Sequence, residues 1–188
     1  MHFICYDFET TGRNSNWDQI IQVGAVLTNE TLDEIDFFEI SCSLKPGTIP
    51  EPEALMVNET IPRDDGNISH YSLVKLMWQK FTNWVNAYNP IAFIGYNSVN
   101  FDEEFLRQAL WENFVFPYLT NSNGNNRGDV FNFVTMIHAF RESSVNVERN
   151  DEGKLTFKLE SLAKANYFDS KIAHDAIADV EVTMQLLE

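Results

Sequence analysis

Three short stretches of this sequence hold residues whose types and spacing could do chemistry. The first is Asp7-Phe8-Glu9-Thr10-Thr11-Gly12. On an extended strand, residues i and i+2 share a face, so Asp7 and Glu9 project side by side while Tyr6 and Phe8 point the other way. Two carboxylates that close repel one another unless a proton or a cation intervenes. Hard oxygen ligands of this kind suit Mg²⁺ or Mn²⁺. The Thr10-Thr11-Gly12 turn adds hydroxyls and backbone N–H groups beside them. Taken alone, the same residues are equally a solvated strand edge with a turn.

The second stretch is Gly95-Tyr96-Asn97-Ser98-Val99-Asn100-Phe101-Asp102. Loops at strand ends of open sheets are where ligands bind, and Asp102 follows such a loop. An acid in the first turn of a helix is also favoured by the macrodipole alone. The third stretch is His174-Asp175-Ala176-Ile177-Ala178-Asp179. His174 precedes a helix, and the ordinary pKa of a histidine suits a general base, or it is simply a surface histidine. Asp179 lies on a mostly apolar segment, where a buried carboxylate requires a partner. Asp175 competes with it and could serve only as a helix cap.

The elements that must position these residues are legible from periodicity. Phe3 to Glu9, Ile20 to Thr28 and Phe37 to Leu44 read as strands with short connections, hence an antiparallel meander. Residues Lys45 to Ser69 hold four prolines and read as a loop, with one short helix near Ala54 to Val57. From Ser72 the period changes, and Leu73, Met77, Phe81, Trp84 and Tyr88 fall on one helical face closed by Pro90. Ile91 to Tyr96 is a strand of buried character. Helices follow at Asp102 to Asn113, from an Asp129 cap to about Phe140, near Leu159 to Asn166 and at Asp175 to Leu187. Asn121 to Gly128 reads as a loop, and Val145 to Gly153 as a polar, mobile segment. The result is an α/β chain with helices flanking a central sheet.

The 188 residues favour a single domain spanning 1–188. Hydrophobic residues at 44% and aromatics at 13% exclude wholesale disorder. The two cysteines, Cys5 and Cys42, form no zinc or disulfide pattern, and Cys5 reads as a buried thiol. The N-terminal residues have no basic region typical of a signal peptide, and no apolar run approaches the roughly 20 residues that span a bilayer. A cytoplasmic location and no membrane partner are the expectation. The net charge of −15 disfavours binding a polyanion, which should be weak and salt-sensitive unless basic residues gather at a cleft.

Together and in this order, the three stretches resemble the DEDD superfamily of 3′→5′ exonucleases in its histidine-bearing branch. Within it they look most like the nuclease domain of the bacterial exonuclease I group. The likeness also takes in Glu103 and Lys164-Ala165-Asn166, and it covers nearly the whole chain. It implies a ribonuclease H-like fold, with a mixed central sheet of a three-stranded antiparallel meander plus parallel strands, flanked by helices. It implies two Mg²⁺ ions, with Mn²⁺ as a substitute, and a single-stranded nucleic acid 3′ end as substrate, DNA before RNA. Asp7, Glu9 and Asp179 would hold one metal. Asp7 with the phosphate would hold the other, supported by Asp102, and His174 would take the water's proton.

The H-x₄-D spacing of that branch selects Asp179 over Asp175. By the same likeness, backbone groups of Thr10 and Thr11 reach the terminal sugar. Phe101 and Met56 stack on or wedge beside the last bases, and Gly12 and Asn97 complete the substrate set. An exoribonuclease, an oligonucleotide hydrolase and a silent binding domain are the alternatives. Three departures stand out. That group carries further domains that close over the strand where this sequence stops at Glu188, the segment Asn58-Glu59-Thr60-Ile61-Pro62 replaces a Thr-Gly-Ile type turn, and Asn132 stands where an acid is expected.

Overall fold

The structure is a computed structural model that describes residues 1–58, 68–168 and 175–188, leaving aside the side chains of Val57 and Asn58. Five strands form one sheet in the order β3-β2-β1-β4-β5. Strands β1 (His2–Thr10), β2 (Ile20–Thr28) and β3 (Glu34–Ser41) make the antiparallel meander. Strands β4 (Ile91–Gly95) and β5 (Asn126–Asp129) continue it in parallel on the other side of β1. The mixed sheet flanked by helices is the expected fold class.

Helices α1 (Pro52–Asn58), α2 (His70–Tyr88) and α3 (Asp102–Glu112) precede β5, and α4 (Val130–Phe140), α5 (Leu159–Ala165) and α6 (Ala176–Gln185) follow it. Alternation along β1 splits the core. Ile4, Tyr6 and Phe8 face a cluster with Leu73, Met77 and Phe81 of α2 and Leu106 of α3. Cys5 faces a second cluster with Val134 of α4, Leu162 of α5 and Val180 of α6. Each fully buried side chain of this size contributes about 1.5–3 kcal/mol, so both helical layers are held against the sheet. Helix α2 starts two residues before the expected Ser72, because the Ser69 side chain caps it by accepting from the Ser72 N–H. Among the described residues, no helix is long and apolar enough to cross a membrane.

Three expectations need correction. Strand β3 begins and ends three residues earlier than read, because Asn29 closes a tight turn by accepting from the Thr31 and Asp33 N–H groups. Strand β5 starts inside the segment read as a loop and ends on Asp129, the residue read as a helix cap. Its Asn-Arg-Gly-Asp sequence carries no apolar signal, and backbone pairing with Ala92–Gly95 alone defines it. The segment read as mobile, 145–153, is pinned instead. Val145 and Val147 pack on the second core, Asn146 and Asn166 exchange hydrogen bonds at 2.9 Å, and Arg149 bridges to Leu155.

One contact governs where α6 sits. Gly24 of β2 pairs across from Asp7, so the two share a face. The backbone of Ala176 and Ile177 passes so close that a Cβ on Gly24 would lie 2.5 Å from it. Only a missing side chain lets the first turn of α6 rest on the sheet beside Asp7. A Gly24→Ala substitution should force α6 outward at a cost of about 1–3 kcal/mol, and carry Asp179 away from Asp7. Melting curves together with Mn²⁺ titration test this. Weakened cation binding in a folded variant is expected, and unchanged binding contradicts the account.

Candidate active site

Asp7 and Glu9 leave the same face of β1, and Asp179 reaches them from the first turn of α6. Carboxylate oxygens of these three residues lie within 4.8 Å of one another. Asp175 does something different. It caps α6 by accepting from the Ala178 N–H at 3.3 Å, and it accepts from Gln22 Nε2 at 3.0 Å. The structure thus separates the two acids that spacing alone left in competition. His174 falls outside the described residues.

Asp102 is buried beside this group rather than within it. Strand β4 pairs with β1 only as far as Cys5–Ile94, which leaves the Phe8 N–H without a strand partner on that side. Asp102 Oδ1 accepts that N–H at 3.0 Å, so the first residue of α3 is fastened to the backbone between Asp7 and Glu9. The neighbouring Glu103 anchors the same turn from the core side. It accepts from the Tyr6 hydroxyl at 2.8 Å, from Thr120 Oγ1 at 2.9 Å and from Arg127 at 3.1 Å. A buried carboxylate is tolerated when its oxygens are satisfied in this way.

The electrostatics of the site are dominated by burial and by like charge. Burial, then the negative charges of Asp102, Asp179, Glu9 and Asp175, hold the Asp7 carboxyl well above the usual carboxylate range. Burial, then Asp179, Asp102 and Asp175, push Glu9 up to about 8. Burial raises Asp102 well above its ordinary value, against the opposing pull of its own and the Phe8 N–H. Among the described residues, no Lys or Arg forms an ion pair with Asp7, Glu9 or Asp102. A divalent cation would relieve this repulsion, and three carboxylates on two rigid elements are a fitting donor set for one.

A cleft of about 880 Å³ opens from Asp7 and Asp179. Asn97, Tyr96 and Phe131 line one part of it, and residues 155–160 another. Arg13 and Lys158 are its basic residues. Arg13 also lines a smaller pocket of about 270 Å³ with Asn100, Phe101 and Phe105.

The expected substrate residues fall in several places. Asn97 adopts φ +56, donates its N–H to Asp129 Oδ1 at 2.9 Å and lines the cleft. Phe101 lies against Phe105, with ring centroids 5.0 Å apart, at the edge of the first core and in the smaller pocket. Met56 is exposed on α1. Thr10 donates its hydroxyl to the Gly12 carbonyl at 2.7 Å. Thr11 is fully buried, with its N–H given to the Gln19 carbonyl, its carbonyl accepting from Glu51 N–H and its hydroxyl donating to Asp18. Gly12 is packed against Asp18, whose carboxylate lies 2.5 Å from where a Cβ would be. The Thr-Thr-Gly turn is therefore occupied in shaping its own loop.

Sequence reasoning missed the cleft wall at residues 155–160, with Phe157 and Lys158, and it missed Arg13. Arg13 could have been found from its place directly after the acidic motif. The wall could not, since Leu155-Thr156-Phe157-Lys158 carries no motif and joins the site through long-range contacts, the Tyr96 hydroxyl donating to the Phe157 carbonyl and the Phe131 ring meeting that of Phe157.

The sequence matches the profile of the RNase_T exonuclease family over residues 4–187. It is 30% identical to exodeoxyribonuclease I of Haemophilus influenzae over 188 residues, covering 98% of this chain and 39% of that protein. It is 28% identical to the Buchnera aphidicola exodeoxyribonuclease I, covering 98% and 45%. The crystal structure of E. coli exonuclease I in complex with a dT13 oligonucleotide superposes with a TM-score of 0.91 at 27% identity, over 99% of this chain and 40% of that one. The chain thus spans 38–45% of the length of the curated relatives it matches. This is a divalent-metal-dependent family, a requirement that the acidic cluster of Asp7, Glu9 and Asp179 fits. With its fold, its acidic cluster and a match over almost its entire length in agreement, the chain belongs to the exonuclease family.

Proposed function

We propose that this chain is a 3′→5′ exodeoxyribonuclease domain, spanning residues 1–188, that releases nucleoside 5′-monophosphates from the 3′ end of single-stranded DNA. The observation that carries this reading is the meeting of Asp7, Glu9 and Asp179 oxygens within 4.8 Å at the end of an open cleft. The names of the relatives, exodeoxyribonuclease I, and the dT13 and dA16 oligonucleotides bound to E. coli exonuclease I favour DNA over RNA. A cytoplasmic location goes with this reading, and with two cysteines that are buried and free.

Two Mg²⁺ ions bound here, or Mn²⁺ in their place, would supply an activated water and stabilise the leaving 3′-oxygen. Asp7, Glu9 and Asp179 would hold the first ion. Asp7 would share the second with the scissile phosphate. Asp102, fixed by the Phe8 N–H, would support that second position without entering the three-carboxylate group. His174 would take the water's proton; its position immediately before the Asp175 cap, five residues ahead of Asp179, supports that role. Asn97 and Phe101 would meet the strand from the cleft and the smaller pocket, and Thr10, Thr11 and Gly12 would act by shaping the loop beside Asp7. Met56 would approach the terminal base from α1.

Two outcomes test this reading. Asp7→Ala should lower cation-dependent nucleotide release from a labelled single strand by more than the roughly 10–100-fold typical of residues outside the ligand shell, with an unchanged circular dichroism spectrum. Undiminished release contradicts the assignment. The second outcome concerns pH. Carboxyl groups whose folded values are raised favour the folded state at low pH, and that contribution is lost as pH climbs from the ordinary carboxylate range through about 8, the value for Glu9. Bound cation removes the repulsion. Thermal melts with EDTA and with Mg²⁺ should therefore diverge as pH rises from 6 to 9, by roughly the scale set by such linkage. Curves that converge over that range oppose it.

A further inference from the structure

Strand β5, Asn126–Asp129, has no apolar side chain with which to pack. Its two charged side chains instead reach one stretch of chain, residues 97–103, which leads from the end of β4 into α3. That stretch holds Asn97, which lines the cleft, Phe101, which lines the smaller pocket, and Asp102, which accepts from the Phe8 N–H. Its inner hydrogen bonds run from the Asn100 N–H to the Asn97 carbonyl and from the Phe101 and Glu103 N–H groups to the Ser98 carbonyl. They coil the stretch into turns without fastening it to the sheet. The side chains of β5 fasten its two ends. At the first end, Asp129 accepts from the Asn97 N–H at 2.9 Å and from the Val99 N–H at 3.2 Å. Asn97 has a left-handed backbone, φ +56, which outside glycine persists only where its surroundings hold it. At the second end, Arg127 donates to Glu103 at 3.1 Å, and the Tyr6 and Thr120 hydroxyls donate to the same carboxylate at 2.8 and 2.9 Å. The Glu103 side chain is 1% exposed, so its charge depends on these three donors.

We propose that Arg127 and Asp129 are positioning residues of the active site, a two-point clamp in which Asp129 sets Asn97 in the cleft and Arg127, through Glu103, sets Asp102 beside Asp7. The proposal rests on the exonuclease reading above and names the residues that keep the parts of that site in register. The two points act on different groups. Glu103 and Asp102 are neighbours in the first turn of α3, so a shift of one carries the other. Loosening Glu103 therefore draws Asp102 from the Phe8 N–H and acts on the chemical step. Loosening Asn97 acts on the cleft, where the DNA strand is bound, and leaves Asp102 fastened through Phe8 and Glu103. Groups that orient the residues of a metal site from behind typically tune its affinity or activity by roughly 10–100-fold.

The test is steady-state nucleotide release from a dT oligonucleotide, with kcat and KM separated and Mn²⁺ varied. R127M should lower kcat by roughly 10–100-fold and raise the Mn²⁺ concentration that gives half-maximal rate, with KM for the oligonucleotide unchanged. R127K should recover most of the lost kcat. D129N keeps the cap of α4, since Asn caps as well as Asp, but presents a donor where the loop N–H groups need an acceptor. It should raise KM several-fold and leave kcat and the Mn²⁺ dependence as they are. Where R127M does not fold, T120V removes a different donor from Glu103 and should show the same loss of kcat in smaller measure. Folded variants with unchanged kinetics overturn the clamp, with T120V deciding its second point if R127M is lost. Variants at both points that change kcat and KM in the same proportion, as a general loosening would, also overturn it. Absence of nucleotide release by the unsubstituted protein overturns the exonuclease reading and this proposal together.

Discussion

Everything in the site depends on one close approach, the backbone of α6 lying against Gly24 of β2. Gly24 pairs with Asp7, so whatever rests on Gly24 rests beside the acidic face of β1. Helix α6 brings Asp179 there, and Asp175 holds its first turn by capping it. The helix cannot sit there with any other residue at position 24 unless its backbone moves. A small residue on one strand thereby determines the distance between two carboxylates that are 172 positions apart in the sequence.

The same geometry sets up an electrostatic conflict. Asp7 and Glu9 are held above their ordinary values by burial and by the charges of Asp102 and Asp179, and Asp102 is held above its own chiefly by burial. Folding brings them together because the surrounding contacts are strong. Asp102 replaces a missing strand partner at Phe8, and Glu103 is satisfied by Tyr6, Thr120 and Arg127. The rest of the fold opposes the repulsion, and a divalent cation would cancel it. Such a site is rigid before its ligand arrives, as metal-dependent chemistry requires. Arg13 and Lys158 line the cleft that opens from Asp7 and Asp179.

Much of this was legible in the sequence, for reasons that can be named. Period-two alternation located Asp7 and Glu9 on one face, and the apolar spacing of Leu73, Met77 and Phe81 located α2. A cap residue located α4 at Asp129. Asp102 was legible as the acid opening a helix, but its bond to Phe8 was not, since it depends on where β4 stops pairing. Strand β5 was hidden because Asn126–Asp129 owes its state to a neighbour and not to its own side chains. The wall at residues 155–160 was hidden for a similar reason. It belongs to the cleft only through long-range contacts such as that of Tyr96 with Phe157. The Thr-Thr-Gly turn was visible, but its role was not, because Thr11 uses its polar groups to close its own loop.

The central claim is that Asp7, Glu9 and Asp179 form a divalent-cation site created by the fold. A crystal soaked in Mn²⁺ and measured for anomalous scattering tests it most directly. The account predicts a strong peak between the three carboxylates, at roughly 2.0–2.6 Å from their oxygens, the range for hard cations with oxygen ligands. Mn²⁺ bound elsewhere, with that position empty and the three carboxylates still gathered, would contradict it.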